Sequence, residues 1–333
     1  MSLPVDHPRA VLLGSQAGAF VLPVCDHYSG VEARMRKSLQ LQAEMAQEFG
    51  ACVFDVTLDC EDGAAVGAEH EHAHLVAELA AGAAVDMRVA ARLHAVNHAA
   101  FADDVQTIVS KAGSRLSHLM IPKVESVQDI VRAAALVDAA GAPDLPLHAL
   151  IESPLAVHRA CEIAAHPRVQ SLSFGLMDFV SAHGGAIGAE AMGVVGQFSH
   201  PVVVQAKLAI AAACHAYGKT PSHCVVTEFQ NLEALGASAR QASRQLSYTR
   251  MWSIHPSQIR PILAAFSPEP TEVALSVRII EAAFAAQWAP ISHAGVLHDR
   301  ASYRYFWQVL ERAYRVGCDL PEFVKVWLAP PRG

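Results

Sequence analysis

Residues 147–178 read LHALIESPLAVHRACEIAAHPRVQSLSFGLMD, and the fold turns on how they are parsed. An apolar run, Leu147–Ile151, is followed directly by Glu152. Ser153-Pro154 then has the form of a helix N-cap with proline at the first helical position. Pro154–Ala165 carries helical spacing, a second short run spans Ser171–Phe174, and Gly175-Leu176-Met177-Asp178 closes it. The unit is a strand, a carboxylate, a helix, and then a strand and carboxylate again.

The same alternation extends in both directions. Strand-like runs occur at Phe20–Val24, Cys52–Leu58, Met87–Leu93, His118–Ile121, His223–Val226 and Met251–Ile254. Helical segments between them include Val31–Phe49, Glu69–Ala81, Ala99–Ser110, Ser126–Ala140, Pro201–Tyr217 and Glu228–Gln241, with Pro256–Phe266 after the last run. Gly141-Ala-Pro143 stops one helix, and Gly218 ends another as a C′ glycine does. Eight such pairs over about 250 residues predict an α/β chain folded as a (β/α)8 TIM barrel. A doubly wound open sheet is the structural alternative, and the lack of GxGxxG after the first run argues against it. The expected barrel spans residues 1–267. Past Pro268-Glu269-Pro270 the repeat stops, and residues 268–333 read as a C-terminal helical extension with helices at Thr271–Trp288 and Ser302–Val316, packing on a neighbouring subunit.

Composition narrows the function classes. The 333 residues are 52% hydrophobic and 17% charged, which excludes a largely disordered chain. With 25 basic against 32 acidic residues the net charge is −7, and no lysine–arginine cluster suits a nucleic-acid backbone. Seven cysteines without a CxxC pair fit a reducing cytoplasm rather than a disulfide framework. No apolar stretch is long enough to span a membrane. Arg9 and AVLLGSQAGA, with Ala17-Gly18-Ala19, imitate an export signal, but Asp6, Gln16 and two glycines dilute the pattern.

In a TIM barrel the active site lies at the carboxyl ends of the strands. Those positions hold Asp59-Cys60-Glu61-Asp62-Gly63, Arg92, Pro122-Lys123-Val124-Glu125, Glu152, Asp178 and His255-Pro256. Glu152 and Asp178, with Glu61 and Asp62 nearby, offer hard oxygen ligands suited to Mg²⁺. Arg92 and Lys123 bring positive charge for a substrate carboxylate or an enolate oxygen. A divalent cation beside an arginine suits forming an enolate and making or breaking a carbon–carbon bond. Glu125 and Asp129 read as solvated or capping groups, and Cys60 as packing. His27, His183 and His255 are weaker candidates for a base. His70-Glu71-His72-Ala73-His74 satisfies HExxH, but the stretch is rich in histidine and opens an outer helix, so it reads as an adventitious metal binder rather than a catalytic zinc site.

From Phe20 to Glu311 the chain resembles the HpcH/HpaI aldolase and citrate lyase superfamily, in its citrate lyase β-subunit-like (CitE-like) branch that includes malyl-CoA lyases. The carriers are Leu58-Asp-Cys-Glu-Asp-Gly63, Ile121-Pro-Lys-Val-Glu-Ser126, Ile151-Glu-Ser-Pro154, Phe174-Gly-Leu-Met-Asp178 and Ile254-His-Pro-Ser-Gln-Ile259. The resemblance implies a Mg²⁺-dependent lyase, a homotrimer or homohexamer, that cleaves a β-hydroxyacyl-CoA-type thioester. It implies that Glu152 and Asp178 bind the metal, that Arg92 grips substrate, and that Glu61 and Asp62 orient water or the arginine. Asp299, in the C-terminal segment, is the counterpart of an aspartate that moves a proton at a neighbouring subunit's site. Ala91-Arg92-Leu93-His94 lacks the asparagine of the family's V-R-x-N, and the segments before the seventh run depart from the usual CoA-side loops. Two other readings are an aldolase for free 4-hydroxy-2-keto acids and a non-catalytic subunit of a larger lyase complex.

Overall fold

The computed structural model describes residues 7–14, 17, 21–63 and 65–329. Eight parallel strands close on themselves in sequence order, β1 (Cys25–Ser29), β2 (Phe54–Asp59), β3 (Val89–Arg92), β4 (Leu116–Ile121), β5 (Leu147–Ile151), β6 (Val169–Phe174), β7 (Thr220–His223) and β8 (Arg250–Ser253). Closure is made by β8 on β1, with Cys25 opposite Met251 and His27 opposite Ser253. The (β/α)8 barrel expected from the alternation is the fold.

Six strands fall where the apolar runs placed them, and two do not. Phe20 lies outside the described residues, and the first strand begins at Cys25, just past the expected run. Its sequence, CDHYS, is too polar for a hydrophobic-run reading, yet Asp26 and His27 are buried. The seventh strand, TPSH, runs earlier than the expected His223–Val226 and meets it only at His223. Both strands line a barrel interior that is partly polar, where Thr57 donates to Asp26, His27 bonds Ser253 and Ser38, and His223 bonds the Cys224 carbonyl, so burial there is not signalled by hydrophobicity.

Local helix signals hold. Ser126 and Asp129 form a reciprocal capping box on the helix Val127–Ala139. Ser153 Oγ accepts from the Ala156 N–H at the start of Pro154–His158. Gly218, at φ +64°, follows the helix Pro201–Ala216, and the Lys219 N–H returns to the Cys214 carbonyl.

The described residues divide into two compact units, 23–266 and a second drawn from both ends of the chain, up to residue 22 and from 267 onward. In the second unit the helices Pro270–Ala285, Arg300–Arg315 and Glu322–Leu328, with Pro8–Leu13, pack around Ile279, Ile280, Tyr303, Trp307 and Val324. Arg9 pairs with Glu311 at 2.8 Å, and Glu311 also accepts from the Trp307 indole. Between the helices Pro270–Ala285 and Arg300–Arg315 lies a hairpin, β9 (Ile291–His293) with β10 (Val296–His298), turned by Ala294 and Gly295 at positive φ. Among the described residues no helix is long and apolar enough to cross a membrane.

Candidate active site

The carboxyl ends of β2 to β6 bring the expected residues together. Arg92 ends β3 and is buried. Its Nε and Nη2 donate to the two oxygens of Asp59 at 2.7 and 3.1 Å, a fork that fixes the guanidinium plane. Nη1 reaches Glu61 at 2.9 Å and Nη2 reaches Asp62 at 2.5 Å. Below it the Tyr28 ring lies 4.2 Å from the guanidinium carbon. Tyr28 in turn stacks on Trp252, whose indole N–H donates to Ser173. Asp59, Tyr28 and Trp252 were not singled out from sequence. Asp59 stood inside a quoted motif, but its partner is defined only by the β2–β3 register, which sets Asp59 opposite Arg92.

Glu152 follows β5 and is buried. One of its oxygens accepts the Lys123 backbone N–H at 2.7 Å. Lys123 adopts φ +51°, the left-handed region a non-glycine residue rarely enters, and this local strain aims the amide at the carboxylate. The Lys123 ammonium donates to Glu61 at 2.5 Å, so one residue steadies two carboxylates. Gly175 leaves the space Glu152 needs, because a Cβ there would stand 2.5 Å from the Glu152 Cβ and 2.6 Å from its Oε2. Gly63 is equally confined, its hypothetical Cβ falling 2.3 Å from the Asp59 carbonyl. Asp178 sits in the first turn of the helix Leu176–Ser181, exposed, and its charge reaches Glu152, Glu61 and Arg92. Burial, with Asp178 and Glu61 beside it, pushes the Glu152 carboxyl up to about 8.

Two cationic side chains, Arg92 and Lys123, thus face five carboxylates, those of Asp59, Glu61, Asp62, Glu152 and Asp178. The surplus of negative charge is concentrated around Glu152 and Asp178. Their all-oxygen donor set fits a hard divalent ion that keeps water in its shell.

A second group of metal-binding composition, Asp26, His118 and His148, lies inside the barrel toward the amino ends of the strands. The two imidazoles stack 3.6 Å apart at an interplanar angle of 13°, so their in-plane lone pairs run side by side instead of converging. Arg250 already holds Asp26 at 2.8 Å and Asp55 at 2.6 Å, and Arg88 also pairs with Asp55. Burial keeps both histidines neutral, with His148 pushed down to about 3. This is a charge-balanced floor, not a pocket for magnesium.

The weaker histidine candidates are engaged structurally. His27 is buried with one ring nitrogen on Ser253 and the other on Ser38, and burial pushes it down to about 4. His255 caps the turn Pro256–Gln258 and stacks on Phe229, while His183 bonds the Phe179 carbonyl. Asp299 belongs to the second unit, where it is exposed and caps the helix Arg300–Arg315 by accepting from Ala301 N–H and Ser302 N–H.

A family model described as HpcH/HpaI aldolase/citrate lyase matches residues 39–256. The chain belongs to that family. Among solved members, a citrate lyase from Burkholderia xenovorans LB400 is 46% identical, with a TM-score of 0.79 over 93% of this chain and 97% of that one. CitE from Mycobacterium tuberculosis, solved with magnesium, acetoacetate and coenzyme A, shares the fold at 22% identity and a TM-score of 0.66, over 88% of this chain and 98% of that one. An L-malyl-CoA/beta-methylmalyl-CoA lyase of Cereibacter sphaeroides is 31% identical over 202 residues, 55% of this chain and 62% of the relative. A (3S)-malyl-CoA thioesterase from the same species is 33% identical over 172 residues, 51% of this chain and 55% of the relative. The chain therefore spans less than two thirds of these curated relatives' length.

Proposed function

We propose that this HpcH/HpaI family member is a Mg²⁺-dependent carbon–carbon lyase cleaving a β-hydroxyacyl-CoA thioester of the malyl-, citramalyl- or citryl-CoA kind. The observation that carries the reading is the confinement of the Glu152 carboxylate between the Lys123 amide and Gly175, in the field of Asp178 and beside Arg92. Glu152 and Asp178 are the metal ligands in this reading. The ion, when bound, supplies Lewis-acid stabilisation to the substrate's hydroxyl and carboxylate oxygens. Arg92 is held flat by Asp59 and Tyr28, so its charge faces the developing enolate without reorganisation. Glu61 and Asp62 set the outer edge of that guanidinium, and Lys123 restrains Glu61. The proton on the substrate hydroxyl passes to Asp299 of a neighbouring copy in a homotrimer or homohexamer, and the carbon–carbon bond then breaks to a keto acid and the enolate of the acyl thioester. A cytoplasmic setting accords with the seven free cysteines, of which Cys25, Cys60, Cys214 and Cys224 are buried.

The thioesterase relative supports a second reading, in which water attacks the thioester at the same mouth. The products separate the two, since the lyase releases a keto acid and a shortened acyl-CoA, whereas hydrolysis releases the intact hydroxy acid and free CoA. The relatives' CoA-ester names weigh against an aldolase for free hydroxy-keto acids and against a non-catalytic subunit. The test is turnover of Glu152→Ala with and without Mg²⁺. Loss of metal-dependent turnover is expected, and unchanged turnover sinks the assignment.

A further inference from the structure

The HExxH stretch, which the lyase reading leaves unused, is assembled in the structure in a way the pattern alone did not disclose. On the helix Glu69–Ala81, His70 and His74 are four residues apart and share one exposed face. Their Nε2 atoms stand 3.1 Å apart, and the rings meet edge-on at 79°. Adjacent nitrogen ligands on an ion with metal–nitrogen bonds of about 2.0–2.1 Å are separated by about 3.0–3.4 Å, so the spacing matches a two-point chelate. The other nitrogen of His70, Nδ1, bonds Asp103 Oδ2 at 2.6 Å across to the helix Phe101–Ala112. A carboxylate on Nδ1 fixes the tautomer that makes His70 Nε2 an acceptor, here of the His74 Nε2–H, and a metal that displaces that proton would find both nitrogens at chelating distance, the outer-shell arrangement of metal-binding histidines. His72 points elsewhere, with its Nε2 on the Asp59 carbonyl, and takes no part.

We propose that His70 and His74 bind one divalent transition ion of the zinc class through their Nε2 atoms, with Asp103 as outer-shell acceptor. Imidazole nitrogen selects Zn²⁺, Ni²⁺ or Cu²⁺ over Mg²⁺, so this position is chemically distinct from the all-oxygen mouth. With two protein ligands, the remaining coordination positions belong to solvent or an exogenous ligand. Glu71 is a neighbour in sequence and not on the same face, so the site is a chelate and not a zincin. Bound metal would tighten the His70–Asp103 link and so tie the two outer helices together.

The test is equilibrium dialysis of Zn²⁺ against the full chain, stripped of metal and held in excess Mg²⁺ so that the mouth does not compete. One Zn²⁺ per chain is expected. His70→Ala and His74→Ala should each lose it, Asp103→Asn should weaken it by about 10-fold or more, and Glu152→Gln should keep the full stoichiometry. The same Zn²⁺ should raise the melting temperature of the parent chain and not of His74→Ala, whose exposed position leaves folding intact. Zn²⁺ binding that survives both histidine changes, that disappears with Glu152→Gln, or that is absent from the parent chain overturns the proposal.

Discussion

Gly175→Ala tests the mouth at the point where its geometry is tightest. The added methyl would lie 2.5 Å from the Glu152 Cβ and 2.6 Å from Oε2, closer than real Cβ contacts come, so the carboxylate or the β6 end has to move. Overpacking of this kind costs about 1–3 kcal/mol. If the side chain swings away, it also forfeits the charge-assisted bond from the Lys123 amide, a further ~1.5–3 kcal/mol. Either route removes Glu152 from its place beside Asp178, and a displacement worth only ~1.4 kcal/mol in metal affinity is tenfold. Mg²⁺ titration of turnover should therefore show at least a tenfold higher half-saturation concentration, together with a lower limiting rate. The matched control is Gly236→Ala in the helix Leu232–Gln245, where the nearest atom is the flexible Arg240 tip at 3.4 Å and alanine should stabilise by up to ~1 kcal/mol. A Gly175→Ala enzyme with the parent's Mg²⁺ dependence and rate would refute the confinement of Glu152 as the feature that matters.

Three further outcomes follow from the same geometry. Asp59→Asn strips the fork from Arg92; breaking a buried pair costs about 3–5 kcal/mol, and with Glu61 and Asp62 still in place the low end is expected, read as a lower melting temperature and a loss in kcat/KM. Because Glu152 titrates at about 8 without metal, Mg²⁺ must displace a proton below that value; its apparent affinity should fall by up to about tenfold per pH unit on the acid side and level off above, whereas an affinity flat from pH 6 to 9 would contradict the assignment. The raised carboxyl also bears on stability: its folded-state pKa lies above the unfolded 4.5, so the stability it contributes is full below pH 4.5 and is lost as pH rises through about 8, at ~1.4 kcal/mol per unit. Glu152→Gln should accordingly melt above the parent at pH 8.5 in EDTA, and a lower melting point would count against a strained buried carboxylate.

How much of this was legible in the sequence depends on what each residue's role requires. The strand-end carboxylates, Arg92 and Lys123 could be placed because period and punctuation alone locate strand ends. Asp59 as the partner of Arg92 depends on the β2–β3 register, and Tyr28 as its platform depends on the β1–β2 and β2–β3 registers together, neither of which leaves a local trace. The first and seventh strands were displaced for a related reason. Asp26, His27 and His223 are buried in a barrel whose floor is balanced by Arg250, so hydrophobicity was an incomplete guide to burial. Gly175 looked like ordinary punctuation, and its importance appears only when the Glu152 side chain is beside it. Asp299 was placed by resemblance, and within its own unit it is a helix cap.

The most direct measurement is product analysis with a malyl-CoA-type thioester, comparing the parent chain and Glu152→Ala, each with Mg²⁺ and with EDTA. The proposed chemistry requires a keto acid and a shortened acyl-CoA in equal amounts from the parent with Mg²⁺, and neither product in the other three conditions. Keto acid release that persists in EDTA or in Glu152→Ala, or free CoA with an intact hydroxy acid as the sole products, would contradict it.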